Sequence, residues 1–269
     1  MNRMKKILYI LLTLSVAPLA MNAQKTNEIG LFLGGSYYIG ELNPTGHLNS
    51  LTRPAGGIVF RHNFGYRLSL TGSGILGSVQ GIDARSSSFE QQQRNLSFRS
   101  RIYELAARME FNFIEYKIGD DRHEFTPFMF LGLSVFNFNP KATYNNQWVG
   151  LQPLKTEGQA KGYLRTQLAI PFGAGLKMNL AKRIGLVLEW GMRKTFTDYV
   201  DDVSTVYANP ADLAANGPAA VALADRSGAS DNIGRQRGNP RTKDWYCFTG
   251  LTLTFQLSDK PKSCSSYKY

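Results

Sequence analysis

The sequence predicts an all-β chain, an eight-stranded antiparallel transmembrane β-barrel with short periplasmic turns and long external loops. Three observations lead there. After its first 23 residues the chain has no segment near the ~20 consecutive apolar residues of a spanning helix, so a membrane protein of this sequence has to cross with strands. Strand-like runs recur eight times, and the clearest alternate apolar with small or polar residues, as a strand does when its two faces meet different surroundings. The connections run long, short, long, short, long, short, long, the loop rule of outer-membrane barrels with both termini in the periplasm.

Residues 1–23, MNRMKKILYILLTLSVAPLAMNA, open on Arg3, Lys5 and Lys6, pass through an apolar core from Ile7 to Leu14 and end on Ala23. That is the layout of a cleaved secretory signal, with an apolar core too short to span a bilayer. No cysteine stands near the expected cleavage point, which argues against a lipoprotein anchor. From Gln24 onward 246 residues remain, carrying +8 of the formal +11 charge, and no Pro/Ser-rich linker divides them. One domain is therefore expected over 24–258, with a periplasmic C-terminal tail over 259–269. In an exported chain a basic balance points to anionic lipid head groups or an acidic partner, not to nucleic acid.

The runs lie at about 27–40, 55–63, 66–80, 99–117, 124–138, 165–180, 183–198 and 244–258. In the first, NEIGLFLGGSYYIGELNP, the residues Ile29, Leu31, Leu33, Tyr37 and Ile39 share a face expected to meet lipid. Gly30, Phe32, Gly34, Ser36 and Tyr38 face inward, where glycines leave room for large neighbours. Tyr37 falls near the outer end, where a ring with a polar tip suits the membrane interface. Leu168, Ile170, Phe172, Ala174, Leu176 and Met178 form the apolar face of the sixth run, and Trp245, Cys247, Leu251, Leu253 and Phe255 that of the last.

The same parity places Glu104, Arg108, Glu110, Lys177, Glu189 and Arg193 in the lumen. Eight strands enclose a space that side chains just fill, so these charges are expected to pair across it as a packed polar core. The external connections are expected at about 41–54, 81–98, 139–164 and 199–243. In the last, Asn209-Pro210 and Gly217-Pro218 are start signals for two short alanine-rich helices, either capping the barrel mouth, meeting a partner or packing on the loop itself.

Catalytic and metal chemistry finds little support. The three histidines, His47, His62 and His123, form no recognisable triad with a nucleophile and an acid. The acidic clusters GDDRHE (Asp120, Asp121, Glu124) and TDYVDD (Asp198, Asp201, Asp202) lack the ligand spacing and turn glycine of a calcium loop and read as solvated turns. No enzyme activity, cofactor or metal is expected. Cys247 and Cys264 fall at opposite ends of the last strand, far beyond the ~4.4–6.8 Å Cα separation of a disulfide, so they should not bond to each other. Cys247 reads as a small lipid-facing residue; Cys264 is either an intermolecular bridge to a partner or an idle thiol.

The first run directly after the signal, EIGLFLGGSYYIGELNP, with the eight-strand pattern and chain length, resembles the PorG family of Bacteroidetes outer-membrane proteins. The resemblance implies a component of the type IX protein secretion machinery, an accessory barrel and not the translocation pore, associated with the periplasmic ring of PorK-type lipoprotein and PorN-type protein. No catalytic residues come with it. An anchoring role would use the periplasmic turns around Asn63, Asp120 and Lys182 and the tail, where Lys260, Lys262 and Lys268 attract an acidic partner or lipid and Cys264 locks the contact. Three other classes make different demands. A lipid-modifying enzyme needs clustered external polar residues, an adhesin depends on its external loops, and a soluble lipocalin-like carrier needs an apolar interior.

Overall fold

The computed structural model describes residues 25–44, 46–229 and 231–257. The expected signal (1–23) and the tail with Lys260, Lys262, Cys264 and Lys268 lie outside the described residues. Nine strands follow in order: β1 (Thr26–Ile39), β2 (Arg53–Asn63), β3 (Leu68–Ile82), β4 (Ser97–Asn112), β5 (Phe125–Tyr144), β6 (Gln147–Gly150), β7 (Thr166–Ala181), β8 (Ile184–Thr195) and β9 (Trp245–Leu257). Three short helices lie between strands, α1 (Phe89–Arg94), α2 (Pro210–Leu213) and α3 (Pro218–Ala224).

Eight strands close on themselves in the order β4-β3-β2-β1-β9-β8-β7-β5, with a further β4–β5 pairing sealing the ring. All neighbours are antiparallel. Closure satisfies every wall strand along both edges, which is what lets strands cross hydrocarbon. The ninth strand, β6, pairs only with β5 and forms a hairpin standing on the rim.

Side chains sort by parity. Ile29, Leu31 and Leu33 of β1 are exposed on the outer wall, while Glu28, Phe32, Ser36 and Tyr38 are buried inside. Leu105, Leu131, Leu133, Leu168 and Leu251 continue the outer apolar band. Phe64, Phe111, Phe113 and Phe125 cluster on it at the short-turn end, as an aromatic girdle does. Toward the long-loop end the pattern inverts. On β4 and β5 the outward positions become Arg99, Arg101, Asn139 and Lys141, and the inward ones Phe98, Ile102, Phe136 and Phe138 become an apolar core.

That inversion explains why β5 departs from its expected limit. β5 runs on to Tyr144, past the expected end at 138, because its inward Phe138 and Ala142 pack into the loops. At the other end β4 stops at Asn112, short of 117. The continuing apolar residues Tyr116 and Ile118 are buried in the turn that follows and reach the foot of the lumen. A Cβ added to Gly185 would sit 2.9 Å from the Tyr116 hydroxyl and 3.0 Å from Ile118 Cδ1. The same turn needs Gly119, at φ +76°, because a Cβ there would meet the Lys182 carbonyl oxygen at 2.1 Å.

Candidate functional site

The lumen holds a buried ionic network in two parts. Arg61 Nη1 donates to Glu28 Oε2 at 2.6 Å, and Arg61 Nε to Glu110 Oε2 at 2.9 Å. Glu110 also meets Lys177 Nζ at 2.7 Å and accepts from Thr71 Oγ1 at 2.6 Å. One layer higher, Arg108 forks onto both oxygens of Glu189 at 2.9 and 3.3 Å and lies 3.9 Å from Glu110, which joins the layers. Toward the long-loop end Arg193 contacts Glu104 through Nε at 3.1 Å and Nη2 at 3.2 Å, and Tyr246 donates to the same carboxylate at 2.7 Å.

Four cations thus face four carboxylates, and none of the eight side chains is more than 2% exposed. Burying a lone charge in this space would be prohibitive, so the network survives by neutrality and by bidentate geometry. Aromatic rings complete the shells: Arg108 lies 4.5 Å over Phe130, Lys177 4.6 Å over Phe128 and Arg193 4.7 Å over Phe248. Glycines make room for those rings, since a Cβ at Gly191 would sit 2.6 Å from Phe130 Cζ. The six lumen residues singled out in the sequence all take part. Glu28 and Arg61 were missed, although their position in the alternation would have included them.

Above the network the four long connections fold into a single cap. Leu42, Leu96, Leu154, Val200, Leu213 and Leu223, drawn from all four, share one apolar core with Phe98, Phe136 and Tyr246 of the wall. α2 and α3 start at the two proline signals, with the Asn209 side chain accepting from Ala211 N at 3.0 Å. Polar ties cross between loops. Arg94 binds Asp83 through two nitrogens at 2.7 and 2.9 Å and donates to the carbonyls of Glu41 and Arg237. Glu157 accepts from the backbone of Ser204 and Thr205 and from Arg237 Nη1.

The TDYVDD segment is no solvated turn. Asp198, Asp201 and Asp202 are all buried, because the cap closes over them. Burial pushes Asp198 and Asp202 up to about 6, with Arg237 opposing the rise at Asp202. Burial and then the neighbouring acids push Asp201 and Asp244 well above the usual carboxylate range. The geometry agrees: Tyr38 Oη lies 2.5 Å from Asp201 and 2.9 Å from Asp244, and its single proton serves only one of them, so the second carboxyl must carry its own. Glu41, Asp198 and Asp244 bring carboxylate oxygens within 4.8 Å of one another. Ser204, Val200, Asn239 and Thr242 already donate to these three.

Cys247 is a second correction. It has outward parity, but it is fully buried in a cluster with Tyr37 and Met192. The first long loop lies against the wall beside it, with His47 Nδ1 3.0 Å from the Tyr37 hydroxyl, which also accepts from Trp190 Nε1 at 2.8 Å. Its thiol is free. At the short-turn end Lys182 is exposed and Asp120 partly so, on adjacent turns tied by Asn179 donating to the Lys117 and Asp120 carbonyls at 2.9 and 3.4 Å. His62 pairs with Asn27 and His123 sits between Asp120 and Glu115; the three histidines are not brought together.

A closed barrel with an apolar wall, a neutral filled lumen and a folded loop cap is a transmembrane β-barrel of the outer-membrane type. The chain belongs to the family described as Domain of unknown function (DUF6089), which matches residues 5–213. No curated protein matches it in sequence. Among solved structures it is similar to Ail, the attachment invasion locus protein of Yersinia pestis, in complex with the heparin analogue sucrose octasulfate, at 10% identity and TM-score 0.43 over 87% of this chain and 99% of that one. It is similar to Neisserial surface protein A, NspA, at 6% identity and TM-score 0.43, over 87% and 99%. OprG from Pseudomonas aeruginosa gives 8% identity and TM-score 0.39, over 87% and 98%. No residue role is carried over from them.

Proposed function

We propose that this protein is a non-enzymatic outer-membrane component of the type IX secretion machinery, with its termini in the periplasm, that anchors the periplasmic ring of PorK-type lipoprotein and PorN-type protein. The observation that carries the reading is the filled lumen: a barrel closed by eight buried, mutually neutralised charges offers no path for cargo, so its work lies at its ends. An apolar wall with a polar interior is the reverse of a lipocalin-like carrier. The PorG-like first strand supplies the pathway. The exposed turns of Asp120 and Lys182 and the tail with Lys260, Lys262 and Lys268 supply the contact surface, and Cys264 a covalent lock.

The test is co-purification of the ring with the full chain, with a chain lacking 259–269 and with Cys264→Ser. Anchoring through the tail predicts loss of the ring on deletion, and a partner-sized adduct on non-reducing gels that disappears in Cys264→Ser. Undiminished ring recovery with the deletion would refute the tail's role, and the absence of any ring with the full chain would refute anchoring.

A further inference from the structure

The outer wall carries a site that the anchoring role does not use. All four carboxylates within strands, Glu28, Glu104, Glu110 and Glu189, lie in the lumen. The outer wall of β4 and β5 is left with cations alone. In register these strands pair Leu105 with Val135, Tyr103 with Asn137, Arg101 with Asn139 and Arg99 with Lys141. Hydrocarbon-facing residues therefore give way to cations across a single tyrosine-containing step, which is where a bilayer surface meets a barrel wall.

Arg99 and Lys141 stand directly opposite each other, an arrangement that is destabilising in a sheet unless an anion sits between. Arg53 and Arg101 add to the repulsion on Arg99. Among the described residues no carboxylate comes within ion-pair distance of Arg99, Arg101, Lys141 or Arg165. These four, with Tyr103 and Trp148, line a cleft of about 380 Å³. Next to it, below the Tyr103–Asn137 pair and spreading from β4 and β5 onto β3, lies an apolar groove of about 580 Å³, floored by Gly72, Gly74 and Ala107 and walled by Leu105, Leu133 and Val135.

A cationic cleft continuous with a greasy groove has the shape of an amphiphile. From it we infer that this wall holds a phosphorylated lipid of the leaflet at the long-loop end, an acyl chain in the groove and the phosphate among Arg99, Arg101, Lys141 and Arg165. The groove selects a lipid over a free anion. This inference rests on the membrane-barrel reading but not on the secretion partner.

The test uses the purified full chain, folded into vesicles and then taken into detergent for native mass spectrometry with bis-phosphorylated lipid A or its dephosphorylated counterpart. Binding of the phosphorylated lipid is expected to weaken about tenfold or more in Arg99→Gln/Arg101→Gln/Lys141→Gln and for the dephosphorylated lipid with the native chain. Lys194→Gln, elsewhere on the wall, should leave it unchanged. Equal binding by the triple variant, equal binding of both lipids, or full displacement by inorganic phosphate would overturn the proposal. A native chain that shows no heat-modifiable shift in vesicles would instead sink the membrane-barrel reading itself.

Discussion

The lumen and the outer wall come from the same eight strands, yet they treat charge in opposite ways. Inside, four cations and four carboxylates are buried and cancel. Outside, the band is uncharged until Tyr103, and beyond it only cations appear. The difference follows from what each face can exchange with. A lumen charge has only its neighbours to stabilise it, whereas a rim charge has water and lipid head groups. Substitutions should therefore cost most where a partner is irreplaceable.

The sharpest break in that contrast is Glu110→Ala, which removes the carboxylate shared by Arg61 and Lys177. It should lower the stability of the vesicle-folded barrel by about 3–5 kcal/mol in urea unfolding followed by tryptophan fluorescence. Pairing it with Lys177→Met should recover part of that loss. Next comes the wall: Leu133→Arg, at a position 70% exposed to hydrocarbon, should cost about 2–4 kcal/mol, whereas Arg101→Leu at the rim should change stability little. Gly191→Ala is smaller, about 1–3 kcal/mol, because the new methyl meets Phe130 at 2.6 Å and Arg193 at 2.7 Å and one of them must shift.

The smallest effect belongs to the cap and has a definite sign. Asp202 titrates near 6 in the folded cap, above the ordinary carboxylate value, so the folded state holds the extra proton. Its contribution is full below about pH 4 and fades as the pH rises to 6. Asp202 faces Thr156, Tyr163 and Arg237, with Glu157 close by. Hydrogen exchange of the loop amides, corrected for intrinsic rates, should therefore slow between pH 7 and pH 5. Asp202→Asn should flatten that dependence, leaving the part due to Asp198, Asp201 and Asp244.

Much of the barrel was legible because period two is obeyed strictly where lipid meets one face. Lys177 and Glu189 could be placed in the lumen from alternation alone. The upper limit of β5 was misread for a physical reason: above Tyr103 the outside becomes wet and the inside apolar, so Asn139-Pro140 looked like a loop while it still belonged to a strand. Asp198, Asp201 and Asp202 were misread because their burial depends on residues up to 163 positions away, as in the Tyr38–Asp201 contact, and no local pattern records it. Cys247 failed likewise, since it is covered by Tyr37 and Met192 from neighbouring strands, with the first long loop lying beside them.

The claim on which the rest depends is that the barrel is a filled structural element and not a conduit. Planar-bilayer recording of the full chain tests it most directly. No steady unitary current above the bare membrane is expected from chains whose heat-modifiable shift shows them folded. A stable, ion-selective current from the same preparation would mean that the Arg61, Arg108, Lys177 and Arg193 network opens, and would contradict the account at its centre.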